Sequence, residues 1–302
     1  MDRRDRARGT MVGLVVGNAL GIPFEGSAGA SIPAGAVGEI PESEADAPWD
    51  DDVALAVMLA EAAIERGAME VDDLAARLLA WYRENPRGIG ILTSRVLVRL
   101  DRGADPHAAA REVWEESGRT AAGNGAVMRC APLALRWWRD PERLAAETLA
   151  SAGITHADPR CGWSAVTLNR ALAAVLSDQA PDLEALAEDA WRGAGEEYGP
   201  EIAEAVVASA EAARPADLSL DGGDMGYTLK TMQVGLWALV RAGDLEASLV
   251  SVIEAGGDTD TNGAVGGASL GCRDGLEAIP ARWLERAPRR ERLLELADAL
   301  IG

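Results

Sequence analysis

Apolar residues recur at three- and four-residue spacing along most of the chain. Val53, Val57 and Ile64, for example, fall on one side of a helix. No stretch alternates apolar and polar residues as a half-buried strand would. The pattern therefore predicts an all-α protein, with many short helices packed into a single compact domain. Further segments with helical spacing are residues 141–153, 161–177, 182–193, 200–213, 226–242, 244–255, 261–272 and 288–301.

Three connecting segments interrupt this periodicity. Residues 27–48 are rich in Ala, Gly, Ser and Pro, and we expect an irregular or mobile connection there, with a lid as one interpretation. Residues 117–126 are rich in glycine, and residues 214–224 contain paired glycines. Neither a linker nor a repeat divides the chain, so we expect one domain over residues 1–302.

Small residues are spaced for close helix packing in two segments. Gly13, Gly17 and Gly21 recur every four residues, and Gly266 and Gly267 lie in a run of small residues near the C-terminus. A helix face without side chains lets a neighbouring backbone approach closely. We therefore expect each segment to lie directly against another helix.

The charge and apolar content of the chain argue against two classes of partner, nucleic acids and membranes. It has 302 residues, 49 acidic and 29 basic side chains, and a net charge of −20. Such a chain is repelled by phosphate backbones, which makes nucleic acid an unlikely partner. No run of about 18 apolar residues is present, so no membrane partner is expected.

The few cysteine and histidine residues narrow the chemistry further. There are three cysteines and two histidines, without a CxxC or comparable spacing. Zinc, iron–sulfur and haem-attachment sites are therefore poorly supported, and a bound metal would need mostly oxygen ligands, as Mg²⁺, Mn²⁺ and Ca²⁺ do. An odd, sparse set of cysteines also favours a reducing compartment, and we expect a cytoplasmic protein.

An acidic cluster at residues 50–52 directly precedes the helical pattern that begins at Val53. One interpretation is helix capping, because carboxylates at a helix N-terminus meet free N–H groups and the positive end of the dipole. A single aspartate satisfies that need, whereas Asp50, Asp51 and Asp52 repel one another unless a cation or solvent relieves them. The cluster is therefore a candidate metal site.

A second cluster, GGDTDTNG, occupies residues 256–263 between two predicted helices. Asp258 and Asp260, with the hydroxyl of Thr261, form a set of hard oxygen ligands, and the paired glycines permit turns closed to other residues. A polar loop with a helix N-cap is the simpler alternative. A DxDxT phosphatase with an aspartyl nucleophile fits poorly, because the lysine usual downstream of that motif is missing: the only lysine, Lys230, lies upstream.

Six motifs together resemble the ordered motif set of the ADP-ribosylglycohydrolase family, in particular members related to dinitrogenase-reductase-activating glycohydrolase. The resemblance covers about residues 10–276, and GGDTDTNGAV is its most specific motif. The motifs are GLVVGNALGIPFEG (13–26), WDDDVALAVMLAEA (49–62), GNGAVMRCAPLAL (123–135), THADPRCGWSA (155–165), GYTLKTMQVGLWALVRAGD (226–244) and GGDTDTNGAVGGASLGCRDG (256–275).

The resemblance implies an activity and a cofactor. Members of the family are all-α proteins with two Mg²⁺ or Mn²⁺ ions at the base of a cleft, next to the scissile N- or O-glycosidic bond of ADP-ribose. The implied activity is metal-dependent release of ADP-ribose from a modified protein or small molecule. Arginine is the first candidate acceptor, and serine, O-acetyl-ADP-ribose or a nucleic-acid base are alternatives. A non-catalytic binder of ADP-ribose is the rival class.

The resemblance also assigns site residues. Glu25 corresponds to the family's mobile glutamate, a candidate acid or base, and a solvated loop carboxylate is the alternative. The alternative for Tyr227 is a core residue, and the alternative for His156 is a residue at a helix N-terminus in a satisfied hydrogen-bond network. The metal ligands would be Asp51, Asp52, Asp258, Asp260 and Thr261, together with the neighbouring Asp50, and Asp258 would also be catalytic. The groups against the ligand would be Gly123, Asn124 and Gly125 at the diphosphate and distal ribose, Gly226 and Tyr227 on the nucleoside side, and His156.

Three positions depart from the family pattern. The family usually has Ser or Thr where this chain has Asp50, usually Thr where it has Val53, and often Asp where it has Asn18. The first change adds a carboxylate at a metal position, the second removes a hydroxyl, and the third removes a nearby charge. Such positions tune metal affinity, so they motivate the non-catalytic alternative.

Overall fold

Helices joined by irregular segments make up the computed structural model, which describes residues 1–302 and contains no β-strand. The all-α prediction is confirmed. The α-helices, in chain order, are α1 Arg3–Gly21, α2 Glu42–Ala45, α3 Asp51–Arg66, α4 Val71–Arg83, α5 Ile91–Asp101, α6 Pro106–Glu116, α7 Ala131–Trp137, α8 Pro141–Gly153, α9 Pro159–Leu176, α10 Leu183–Glu211, α11 Thr228–Val240, α12 Leu245–Glu254, α13 Thr259–Asp274, α14 Ala281–Arg286 and α15 Arg290–Ile301. Short 3-10 turns lie at Ile22–Phe24, Gly29–Ser31, Asn124–Ala126, Pro215–Leu218 and Leu276–Ala278.

The predicted helical segments form with shifts of a few residues at their ends, except that two of them join. Residues 182–193 and 200–213 both belong to α10, which is broken at Gly195, where φ is 79°. Only glycine adopts this left-handed conformation without strain. The second half packs back on the first, since a methyl group at Gly199 would lie 2.4 Å from the carbonyl oxygen of Trp191.

At the centre of the fold, α1 and α13 run antiparallel with their backbones in direct contact. A methyl group at Gly17 would come within 1.8 Å of the Gly263 carbonyl oxygen, and one at Gly267 within 2.1 Å of that of Gly13. The close packing predicted from the glycine spacing is therefore confirmed. The arrangement brings the C-terminal end of α1 beside the N-terminal end of α13, where the Thr259 hydroxyl donates to the Gly21 carbonyl at 2.8 Å.

The connection over residues 27–48 is irregular, as predicted, and it is tied to the rest of the fold. Ile40 is buried in the core, and the indole N–H of Trp283 donates to the Gly38 carbonyl at 2.8 Å. Immediately before this connection, the Gly26 N–H donates to the Gly257 carbonyl at 2.8 Å, and the Gly257 N–H donates to that of Ser27 at the same distance. This pairing joins the Glu25 segment to the GGDTDTNG motif.

None of the helices combines the length and apolar character that a bilayer crossing demands. Cys130, Cys161 and Cys272 are all buried, and none forms a disulfide. Burial raises the pKa of each of the three thiols.

Candidate metal and ligand site

The two acidic clusters meet at neighbouring helix N-termini. Asp50 directly precedes α3, and Asp258 directly precedes α13. Carboxylate oxygens of the three residues at 50–52 lie within 4.8 Å of one another. The Thr261 hydroxyl donates to Asp52 Oδ2 at 3.4 Å, which joins the second cluster to the first. The fold thus brings together candidate metal ligands that are about 200 residues apart in the sequence.

These carboxylates are buried and have no basic partner in an ion pair. Asp50, Asp51, Asp52 and Asp260 are 4%, 8%, 1% and 8% exposed, respectively. Burial raises the pKa of all four above the ordinary aspartate value, with Asp51 reaching about 8, and the neighbouring carboxylates raise the pKa values of Asp51, Asp52 and Asp260 further. The nearby Arg87 lowers the pKa of Asp50, but its guanidinium is bonded to Glu44 at 3.0 Å.

The donor set fits a divalent cation. One oxygen each of Asp50, Asp52 and Asp260 is buried without a hydrogen-bond donor. Buried acceptors normally have partners, because leaving them unsatisfied is costly. Carboxylate and hydroxyl oxygens are the ligands that Mg²⁺, Mn²⁺ and Ca²⁺ prefer. A cation bound here would satisfy the unpaired oxygens and offset the mutual repulsion of the carboxylates.

Glu25 lies near the second cluster, on the segment that pairs with Gly257. The residue is exposed at the surface of the fold, but its carboxyl group is partly shielded from solvent, and this shielding together with the nearby Asp258 raises its pKa. Glu25 also contributes to the raised pKa of Asp260, which places its carboxylate within electrostatic reach of both aspartates. A carboxyl group at the edge of an acidic cluster, with a raised pKa, is a candidate for proton transfer.

The glycine-rich loop at residues 123–126 contacts both the acidic cluster and the Tyr227 segment. Asn124 Nδ2 donates to Asp258 Oδ2 at 2.8 Å and to the Thr231 hydroxyl at 3.0 Å. The Asn124 backbone N–H donates to the Gly226 carbonyl at 3.0 Å, and Gly123 forms an isolated bridge with Tyr227. Three of the motifs identified in the sequence therefore meet at Asn124.

Tyr227 borders the site and is half-buried. Its hydroxyl donates to Glu201 Oε1 at 2.5 Å and accepts from Arg160 at 3.3 Å. Arg160 is in turn held by a two-pronged ion pair with the buried Asp158. Tyr227 is therefore held in place by the hydrogen bonds of its hydroxyl, and its contact with a ligand stays a prediction.

His156 lies beneath the glycine-rich loop and is almost wholly buried. Its Nδ1 is 2.7 Å from the Thr155 hydroxyl, and burial lowers its pKa to about 3, so the ring is neutral. A methyl group at Gly125 would lie 2.6 Å from His156 Cε1, which explains why glycine is required in the loop. His156 supports the loop from below, and its hydrogen bond to a ligand stays a prediction.

Two residues near the site have partners that the sequence did not indicate. Asn18 departs from the family pattern, and its side-chain amide donates to Asp50 and Asp52 at 3.2 and 3.1 Å. Arg129 is fully buried behind the glycine-rich loop. Its place in the GNGAVMR motif was the available signal, but neither helical periodicity nor charge marks an arginine as buried.

Comparisons with known proteins agree with the arrangement of these motifs. The ADP-ribosylglycohydrolase family model matches residues 1–302. The chain is 27% identical to an ADP-ribosyl-[dinitrogen reductase] glycohydrolase of Rhodospirillum rubrum, over 99% of this chain and 96% of the relative. It is 24% identical to an ADP-ribosylarginine hydrolase of Pseudomonas putida, over 98% and 78% of the two chains. A solved ADP-ribosylglycohydrolase-related protein complex superimposes with a TM-score of 0.75 and 34% identity, covering 99% of this chain and 98% of the other.

Proposed function

This chain belongs to the ADP-ribosylglycohydrolase family, and we propose that it releases ADP-ribose from ADP-ribosylated arginine on a protein, with divalent metal bound among its aspartates. The observation that carries this proposal is the meeting of both acidic clusters beside Glu25. The arginine acceptor is supported by two relatives, one named as an ADP-ribosylarginine hydrolase and one as acting on ADP-ribosyl-[dinitrogen reductase].

The metal would be held by oxygen ligands alone. We propose two Mg²⁺ ions, with Mn²⁺ as a substitute, because the resemblance implies a pair and the cluster has several negative charges to offset. Bound ions of this kind supply positive charge that holds ribose hydroxyls and stabilises developing negative charge. The proposed ligands are Asp50, Asp51, Asp52, Asp258, Asp260 and Thr261.

The remaining chemistry concerns a proton and a water molecule. Hydrolysis breaks the bond between the anomeric carbon and the acceptor nitrogen, and it forms a bond from that carbon to a water oxygen. We assign Glu25 as the group that accepts the proton of the attacking water, since it lies near Asp258 and has a raised pKa. The electron pair of the broken bond leaves with the acceptor nitrogen, which gains one proton to balance the proton that Glu25 took from water, so that Glu25 is regenerated as a carboxylate. Asn124 holds the carboxylate of Asp258 in place.

The nucleotide part of the ligand would lie along the glycine-rich loop. Gly123, Asn124 and Gly125 would face the diphosphate and distal ribose, and small residues there leave the backbone accessible to phosphate. Gly226 and Tyr227 would line the nucleoside side, and His156 would hydrogen-bond the ligand. The direct contact of this loop with Asp258 supports one continuous site for the nucleotide and the reacting bond.

A turnover assay tests the proposal. ADP-ribosyl-arginine is incubated with the protein in Mg²⁺ or in EDTA, and free ADP-ribose is measured by chromatography. We expect release that depends on Mg²⁺ or Mn²⁺ and is lost in EDTA. ADP-ribosyl-serine peptide and O-acetyl-ADP-ribose, assayed in parallel, rank the acceptors. Binding of ADP-ribose without release from any of these substrates would instead support the non-catalytic alternative.

A further inference from the structure

Arg129 is a buried guanidinium with no negatively charged partner. It is 0% exposed. One Nη donates to the Gly125 carbonyl at 3.0 Å, and the other donates to the Ser151 carbonyl at 2.8 Å and to the Thr155 hydroxyl at 2.9 Å. Its Nε has no acceptor at all. Every group that Arg129 bonds is therefore neutral, and its hydrogen-bonding capacity is incompletely used.

The titratable groups around Arg129 do not balance its charge. Burial lowers the pKa of the adjacent His156 to about 3, so that ring is neutral. Burial raises the pKa of the thiols of Cys130 and Cys161, which therefore stay protonated. Burial lowers the pKa of Arg129 itself only to about 10, so it keeps its charge at neutral pH. An isolated buried charge is costly in free energy, and proteins normally pair such groups.

The charge of Arg129 lies directly behind the glycine-rich loop. The Gly125 carbonyl that accepts from Arg129 belongs to the same loop as Asn124, whose side chain reaches Asp258. The glycine-rich loop is thus hydrogen-bonded to a carboxylate of the acidic cluster through Asn124 and to an unpaired guanidinium through Gly125.

We propose that Arg129 is the counter-charge for the anionic part of the ligand, the diphosphate of ADP-ribose. Arg129 would act through the glycine-rich loop, to which it is hydrogen-bonded, without contacting the diphosphate itself. The inference rests on the proposed function and assigns a positioning residue to its ligand. In a buried setting such a charge attracts an anion across several ångströms with little screening by salt. Coulomb attraction across several ångströms, with an effective dielectric constant of about 20, corresponds to roughly 10- to 100-fold in affinity.

The sharpest test pairs Arg129 with a carboxylate inside the protein. Thr155→Asp places an acid next to the guanidinium, and Thr155→Asn is the neutral control of the same shape. Affinities for ADP-ribose and for uncharged adenosine are measured by calorimetry in the presence of Mg²⁺. We expect Thr155→Asp to bind ADP-ribose about 10- to 100-fold more weakly than Thr155→Asn, with adenosine bound equally by both. Thr155→Asp should also melt no lower than Thr155→Asn.

A second variant removes the charge directly. Arg129→Gln keeps amide donors toward the loop, and it should lose affinity for ADP-ribose and AMP while retaining affinity for adenosine. Equal losses for charged and uncharged ligands, or unchanged ADP-ribose binding in folded Thr155→Asp, would overturn the inference and leave Arg129 as a structural residue. Binding is measured without turnover, so a protein that binds ADP-ribose but hydrolyses nothing contradicts the proposed function alone. A wild-type protein that binds no ADP-ribose contradicts both.

Discussion

Asn18 and Asp50, two of the residues that depart from the family pattern, are hydrogen-bonded to each other. The amide Nδ2 of Asn18 donates to Asp50 Oδ2 at 3.2 Å. At position 18 the family often has the carboxylate of Asp, and this chain has the amide of Asn18. At position 50 the family usually has the hydroxyl of Ser or Thr, and this chain has the carboxylate of Asp50. The two changes therefore leave the number of carboxylates at this pair of positions the same. Asp50 precedes α3 as a capping residue would, but its side chain accepts from Asn18 and not from the helix.

Replacing Asp50 should weaken metal binding. Asp50→Thr removes a carboxylate that has one unsatisfied oxygen, and we expect divalent-ion affinity to fall by about 10- to 100-fold. Titration of Mn²⁺ by calorimetry measures the loss. The double variant Asn18→Asp/Asp50→Thr restores the number of carboxylates, so it should recover part of the affinity. Identical isotherms for wild type and Asp50→Thr would show that Asp50 lies outside the metal site.

Asp258 and Asp260 should be essential for activity but not for folding. We expect Asp258→Asn or Asp260→Asn to reduce turnover of ADP-ribosyl-arginine by at least about 10³-fold, because each removes a proposed ligand. Circular dichroism should show the helical content of wild type. Asp101→Asn, which changes a surface carboxylate paired with Arg83, is the matched control. Near-normal turnover in both site variants would remove the metal assignment.

Glu25 should act in the reaction more than in binding. Glu25→Gln keeps the shape of the side chain but cannot take a proton, and general acid–base catalysis is typically worth about 10² to 10⁴ in rate. We therefore expect kcat to fall by that factor while the Kd for ADP-ribose changes little. Glu39→Gln, on the connection that follows, serves as control. A parallel loss of affinity and rate would identify Glu25 as a binding residue.

Metal-free protein should lose stability as the pH rises. The raised pKa of Asp51 means that the folded state favours its protonated form. The stability that protonated Asp51 contributes to folding is therefore complete below the ordinary pKa of 3.8 and is lost as the pH rises through about 8. In EDTA, the Tm of wild type should fall more steeply between about pH 5 and pH 9 than that of Asp51→Asn. Saturating Mg²⁺ should reverse the slope, because metal competes with the proton. Equal slopes for the two proteins in EDTA would contradict this account of Asp51.

The contact between α1 and α13 should tolerate no side chain. Gly17→Ala forces a methyl group against the Gly263 carbonyl, and overpacking of this kind costs about 1–3 kcal/mol or more. We expect the Tm to fall by at least several degrees. Gly38→Ala is the control, since a methyl group there meets no atom within 4 Å. Equal melting of both variants would mean that the helices can move apart at little cost.

Local sequence signals predicted the helices better than their joints. Residues 141–153 were predicted to be helical and form α8, Pro141–Gly153, because apolar spacing and an initial proline act over a few residues. The sequence predicts separate helices at residues 182–193 and 200–213, whereas the structure has one helix, α10, broken at Gly195. Its conformation depends on how the second half of α10 returns to Trp191, which is a contact between parts of the fold.

The candidate site was predictable where its residues are neighbours in the sequence. Asp51 and Asp52, or Asp258 and Asp260, share a helix N-terminus, so their proximity follows from local geometry. The contacts of Asn18 and Arg129 cross 32 and 26 residues to Asp50 and Thr155, respectively. Such pairs depend on tertiary packing, and an arginine in a sequence ordinarily indicates the surface.

The repeating glycines of α1 and α13 leave the pairing of these helices ambiguous by one turn. A slide of four residues, about 6 Å, would again bring glycine against glycine, with Gly13 opposite Gly263. The same slide would separate Asn18 from Asp52 and the Thr259 hydroxyl from the Gly21 carbonyl. Packing of the bare faces therefore accepts several alignments, and the polar contacts at one end select among them. Thr259, which lies between the proposed metal ligands Asp258 and Asp260, thus also helps to set the register of the two central helices.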